Sequence, residues 1–117
     1  MKLNDIFKRA AQLSGISEDF LEENDLKDLQ ARALSAVNSV LFDLCSQEEH
    51  QSLFESADIT PQSADAAVYG TAMFLSLAYG DTDKSSLFSK IYSDKRSSVK
   101  ASVSAVKDVL PKAGGAI

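Results

Sequence analysis

At 117 residues, with 44% hydrophobic and 25% charged side chains, the chain can support one modest core in a single domain. A formal charge of −5 and a pI near 4.7 argue against nonspecific capture by nucleic acid or by an anionic membrane. The single cysteine, Cys45, excludes an intrachain disulfide and suits a reducing compartment.

The average charge conceals a division. Residues 1–83 carry 5 basic and 15 acidic side chains, net −10, whereas residues 84–117 carry 7 basic and 2 acidic, net +5. Ends of opposite sign can attract within one chain or between neighbouring copies. In the opening stretch MKLNDIFKRAAQL, Asp5, Lys8 and Arg9 interrupt any apolar core, so it does not read as a secretory leader. Nor is there an apolar run near the roughly 20 residues that cross a membrane. The expectation is a soluble, intracellular protein.

The first predicted helix covers residues 4–14, with Asn4 as cap, Ile6, Phe7, Ala10 and Leu13 on one face, and Gly15 as stop. The acidic SEDFLEEND follows, with Phe20 and Leu21 as expected packing anchors. A stronger helix is predicted over residues 25–46. In it Leu26, Leu29, Ala33, Val37, Val40, Leu41 and Leu44 recur at three- and four-residue spacing, while Asp28, Arg32 and Asn38 fall elsewhere on the wheel. Cys45 borders this stripe and reads as a packed thiol, since no basic partner is identifiable.

Residues 47–60 form a long connection that Leu53, Phe54 and Ile59 are expected to tack onto the core. Thr60 and Pro61 make an N-cap and first-turn pair for a third helix, ADAAVYGTAMFLSLAY, whose small residues and Gly70 permit close backbone approach. Apolar around most of its circumference, this helix should be central. In YGDTD, Gly80 reads as a stop and Asp81 or Thr82 as the next cap. Asp81 and Asp83 are therefore read as capping residues rather than metal ligands.

The fourth predicted helix carries Leu87, Phe88, Ile91, Tyr92, Val99, Val103, Val106 and Leu110 in one stripe. Continuous over residues 83–110 it spans about 40 Å, longer than a body of this size needs. Leu87, Phe88, Ile91 and Tyr92 are expected to dock in the core. Arg96, Lys100, Val103, Lys107 and Leu110 are expected to face a partner, with Arg96, Lys100 and Lys107 just beyond one edge of the stripe. Ser97, Ser98, Ser102 and Ser104 weaken the later half as a helix, leaving intrachain packing and a mobile tail as alternatives. The PKAGGAI segment predicts a flexible tail over residues 111–117. The fold class is thus all-α, a compact bundle of about four principal helices ending in a long C-terminal one, within a single domain over residues 1–110.

No reaction signature is present. His50 stands alone in an acidic loop and reads as solvated or locally hydrogen-bonded; Glu22 with Glu23 and Glu48 with Glu49 are adjacent pairs that do not face each other on a helix. There is no HExxH, paired cysteine motif or glycine-rich phosphate cradle, so no catalytic residue, metal ligand or cofactor is assigned. Tyr69, Tyr79 and Tyr92 are assigned to packing or an interface rim. A small DNA-binding regulator using the basic face of helix four is the alternative function, although no compact helix-turn-helix pattern is evident.

The segments NDIFKRAAQLSG, ALSAVNSVLFDL and AVYGTAMFLSLAYGDTDKSSLFSKIYSDKRSSV together resemble small head-tail connector or head-completion proteins of tailed bacteriophages and prophages. The carrying residues are Tyr69 and Gly70, Gly80 and Asp81, then Tyr92 with Lys95 and Arg96; the likeness covers most of residues 1–99. It implies an all-α structural virion subunit in a ring between portal and tail, sealing or adapting the head after DNA packaging. Its implied partners are the portal, neighbouring connector subunits and tail-completion proteins, with weak contact to packaged DNA and none to membrane. Its implied location is the host bacterial cytoplasm during assembly and then the head-tail junction.

Overall fold

Four helices follow one another in the computed structural model, which describes the backbone of residues 1–115 and the side chains of residues 1–102. They are α1 (Leu3–Ser14), α2 (Glu23–Cys45), α3 (Pro61–Ala78) and α4 (Thr82–Gly115), with a 3-10 turn, Glu18–Phe20, between the first two. The architecture is the all-α bundle with a long C-terminal helix.

Local chemistry explains most of the boundaries. Thr60 Oγ1 accepts the Ser63 amide at 3.1 Å and Pro61 fills the first turn of α3, where its missing N–H costs nothing. Gly80 turns the chain at φ 77°, and Asp81 Oδ1 then accepts the Lys84 amide at 3.1 Å, so Asp81 is the cap of α4. Gly15, at φ 74°, ends α1.

Asn4 does not cap α1. The helix starts at Leu3, and the amides of Leu3 and Asn4 donate to the carbonyls of Glu55 (3.0 Å) and Leu53 (2.9 Å). The loop backbone thereby supplies the acceptors that a capping side chain would have given. Met1 and Ala57 exchange two further bonds, each 2.9 Å, so residues 1–4 and 53–57 are laced together.

The central helix is α3, which packs against all three others. It buries Ala64, Ala66, Ala67, Gly70, Thr71 and Ala72, and these small residues let its neighbours come close. A Cβ on Gly70 would lie 2.9 Å from Tyr92 Cε1 and from both Val40 methyls, so α2, α3 and α4 meet there. One cluster of the core gathers Leu3, Ile6, Val37, Val40, Leu41, Leu44, Tyr92 and Val99; another gathers Phe7, Ala10, Leu29, Ala33, Leu75 and Phe88. A polar seam crosses the packing: Ser14 Oγ donates to the Ala72 carbonyl (3.3 Å), Ser76 Oγ to Ser14 Oγ (3.2 Å), and Lys84 Nζ to the Ser14 carbonyl (3.3 Å).

Several expected anchors lie outside. Phe20 is 90% exposed, because its 3-10 turn brings Leu21 onto the core instead. Phe54 is 83% exposed, while Leu53 and Ile59 do hold the connection down. On α1, Leu13 is exposed at the rim, and Ser14 takes the buried position facing α3. Helix α4 runs through Pro111 to Gly115 rather than stopping at Leu110. The expected flexibility of residues 111–117 concerns side chains, and at 116 and 117 also backbone, outside the described residues.

Candidate functional site

Two surfaces stand out, one fixing where α4 leaves the body and one open on α2 and α3. The first is built on Asp43, in the last turns of α2. Its carboxylate accepts Arg96 Nε (2.7 Å, Oδ2), Arg96 Nη2 (3.1 Å, Oδ1) and the Tyr92 hydroxyl (2.6 Å, Oδ2). Tyr92 and Arg96 are one helical turn apart, so both reach one carboxylate. The Arg96 hydrogen bonds hold the Asp43 carboxyl below its usual range against the opposing effect of partial burial, with help from the Tyr92 hydroxyl and the charges of Arg96 and Lys100. Burial, then the Asp43 carboxylate, push the Tyr92 phenol well above its ordinary range, so it remains a donor wherever Asp43 is ionised.

A second clasp lies beside it. Lys95 Nζ pairs with Asp65 Oδ2 of α3 and sits 5.2 Å from the centre of the Tyr69 ring, a cation–π distance. Tyr69 in turn packs against Phe88, ring centres 6.1 Å apart and tilted by 56°. Within residues 92–96, α4 is therefore bonded to both α2 and α3. The last buried side chain among the described residues of α4 is Val99, and roughly 24 Å of helix follows it to Gly115. The molecule measures 62 × 29 × 17 Å, and its radius of gyration is 16.0 Å against about 13 Å for a compact domain of this length.

Of the four residues expected to dock, Phe88 and Tyr92 are buried and Ile91 is half-buried against the same cluster as Phe88. Leu87 is 55% exposed and corrects the expectation. The buried stripe follows Phe88, Tyr92 and Val99, and Leu87 falls about 100° to one side of Phe88 on a 3.6-residue turn. Leu87→Asp should change stability by less than about 0.5 kcal/mol, whereas Ile91→Asp should cost more than about 1 kcal/mol. Urea unfolding of the two variants checks this; equal losses would place Leu87 in the core.

Arg96 was expected to face a partner but is held by Asp43 within the chain, because the end of α2 brings a carboxylate to the edge of the stripe. Lys100 is half-buried and contributes to the field at Asp43. The side chains of Val103, Lys107 and Leu110 lie outside the described residues. His50 is locally bonded: its amide and carbonyl are both engaged by the Asn38 side chain (2.8 and 2.9 Å), and its ring lies 3.3 Å from Gln47 Oε1. Cys45 packs half-buried against the core.

The second surface was not anticipated. Two adjoining grooves, of about 320 and 410 Å³, share Ser35 and Ser39 of α2. The first reaches Phe74, Leu77 and Ala78 at the end of α3; the second reaches Leu34, Phe42, Gln47 and Glu49. Phe42 is 68% exposed, and Phe74 and Leu77 are also exposed. The apolar circumference of α3 makes it central, but in its last turns only one face, with Leu75 and Ser76, is covered, and Phe74 and Leu77 on the other face are open. The readable signal was Phe42 following Ser35 and Ser39 at helical spacing, an aromatic on the side of α2 away from its buried stripe.

Among the described residues, no helix is long and apolar enough to cross a membrane, and no group of three or more His, Cys, Asp or Glu is arranged to hold a metal ion. No protein-family model, curated protein or solved structure matches the chain.

Proposed function

We propose that the protein is an assembly subunit, a structural component of the portal-tail junction that joins or seals a phage head after DNA packaging. The carrying observation is the helix that outruns its own body: α4 is bonded to α2 and α3 at residues 92–96, and its backbone continues to Gly115. A helix bonded at its base to two others and continuing well past Val99 has the length to reach a neighbouring subunit.

The residues that carry the sequence likeness also support this reading. Gly70 admits Tyr92, Gly80 and Asp81 set the corner, and Tyr92, Lys95 and Arg96 fix the course of α4. All of them set the course of α4 against α2 and α3, which suits a part defined by shape rather than by reactivity. The DNA-binding alternative is weaker. Lys84, Lys95 and Arg96 already have carboxylate partners in Asp81, Asp65 and Asp43, leaving Lys90 and Lys100 among the described cations of α4.

The test is location. In particles purified with the chain present, cross-linking and mass spectrometry are expected to link it to portal and tail-completion subunits. Particles that lack the chain, or carry it elsewhere than the head-tail junction, would overturn the proposal.

A further inference from the structure

We infer that the groove across α2 and α3 is the seat for the C-terminal half of α4 from a second copy of the chain, so that copies join head to tail. The inference rests on the assembly reading and names the surface that reading would use. The groove floor is made of small residues, Ser35, Ala36 and Ser39, with Phe42 at one end and Phe74 and Leu77 at the other. Small residues between large ones make a channel into which the ridge of another helix can settle.

The proposed occupant fits in pattern and length. Val99 is buried at home, but the same spacing continues through Val103, Val106 and Leu110, a stripe of roughly 10 Å from Val103 that the groove can accommodate. The floor of the groove from Arg32 to Phe42 rises by about 15 Å. Charge agrees as well. Glu49 lines the groove and Glu48 adjoins it, on a body that is net −10 over residues 1–83, whereas residues 99–117 contain Lys100, Lys107 and Lys112 against Asp108 alone.

The molecule's own arm cannot be the occupant. A continuous helix bonded to Asp43 and Asp65 at residues 92–96 has no turn in which to double back onto α2 and α3. Groove and arm are different surfaces, so the contact is heterologous. It closes into a ring where the rotation between copies divides a full circle, and otherwise grows as an open chain.

Sedimentation velocity of the full chain, across a concentration series and at low and high salt, provides the test. Phe42→Lys alters an exposed groove residue and places positive charge before the basic arm; Val106→Asn interrupts the arm's stripe. Circular dichroism first confirms that both remain helical. The wild type is expected to associate with rising concentration and less so in high salt. Each variant alone should associate about tenfold or more weakly. An equal mixture of the two should form a dimer and stop there, because one intact groove and one intact arm remain between them.

A wild type that stays monomeric throughout would overturn the inference, and would mean that another partner or none fills the groove. Variants that associate like the wild type would overturn it too, while leaving the assembly reading standing through some other face. The particle cross-links judge that reading independently.

Discussion

Gly70→Val is expected to destabilise the fold by about 3 kcal/mol, and Gly70→Ala by about 1 kcal/mol, although both replacements improve helix propensity. Alanine in the middle of a helix is favoured over glycine by about 1 kcal/mol, so propensity alone predicts a gain. Packing predicts the reverse. The added Cβ would sit 2.9 Å from Tyr92 Cε1 and from both methyls of Val40, well inside van der Waals contact. Val40 is β-branched and stiff at χ1, and the Tyr92 ring is tethered by its hydroxyl to Asp43, so neither yields easily. Forcing extra atoms into such a site costs about 1–3 kcal/mol or more, which exceeds the propensity term. Valine adds two further methyls in the same place. Urea midpoints of the three proteins decide the matter; a Gly70→Ala protein more stable than wild type would mean that α3 and α4 can part freely.

Asp43→Ala is expected to cost about 1–2 kcal/mol at neutral pH. Little of that is the ion pair itself, since both partners are about 40% exposed and water screens them. Most of it is the Tyr92 hydroxyl, which loses its acceptor in a nearly buried position. Tyr92→Phe, which removes the donor and leaves Asp43 its arginine, should cost less than about 1 kcal/mol.

The pH dependence has a definite sign. The folded-state pKa of Asp43 is depressed, so the unfolded chain binds the proton more readily and the stabilisation is present above the unfolded pKa. The gap between wild type and Asp43→Ala should therefore be full above about pH 5 and shrink as the pH falls below about 4, through the lowered folded value. Urea unfolding at pH 7, 5 and 3, round values spanning that window, measures it. A gap that stays constant at acid pH would mean that the carboxylate charge contributes nothing.

Sequence reading succeeded where the cause is local. Thr60 with Pro61, and Gly80 with Asp81, carry their cap and turn chemistry within four residues, and the structure uses them as expected. The three-and-four spacing of α2 identified its buried face because periodicity survives whatever the partner is. Phe20, Phe54 and Leu87 were misplaced for the complementary reason. Each is apolar beside another apolar residue, and which of the two turns inward depends on the element that covers it. The Asp43 node was illegible, since its partners lie 49 and 53 positions away and nothing in one helix wheel marks that pairing. The groove was illegible for a related reason: α3 is apolar around most of its circumference, so its sequence marks it as central without marking which face, that of Phe74 and Leu77, is left open.

The lacing of α1 at both its ends has a consequence for synthesis. Its first residues bond to positions 53–57, and Ser14, at its end, meets Ala72, Ser76 and Lys84. None of these exists when α1 leaves the ribosome. At ordinary elongation rates of about 5–20 residues per second, some 70 further residues take roughly 4–14 s. For that interval Leu3, Ile6 and Phe7, all fully buried in the finished fold, have α2 to pack against but lack the wall that α3 supplies. The α3–α4 hairpin can form from contacts between sequence neighbours as soon as it emerges, whereas α1, the first helix made, completes its packing only once α3 is in place. A nascent chain stalled before Lys84 should therefore display α1 to holdase chaperones, and one stalled well beyond it should not.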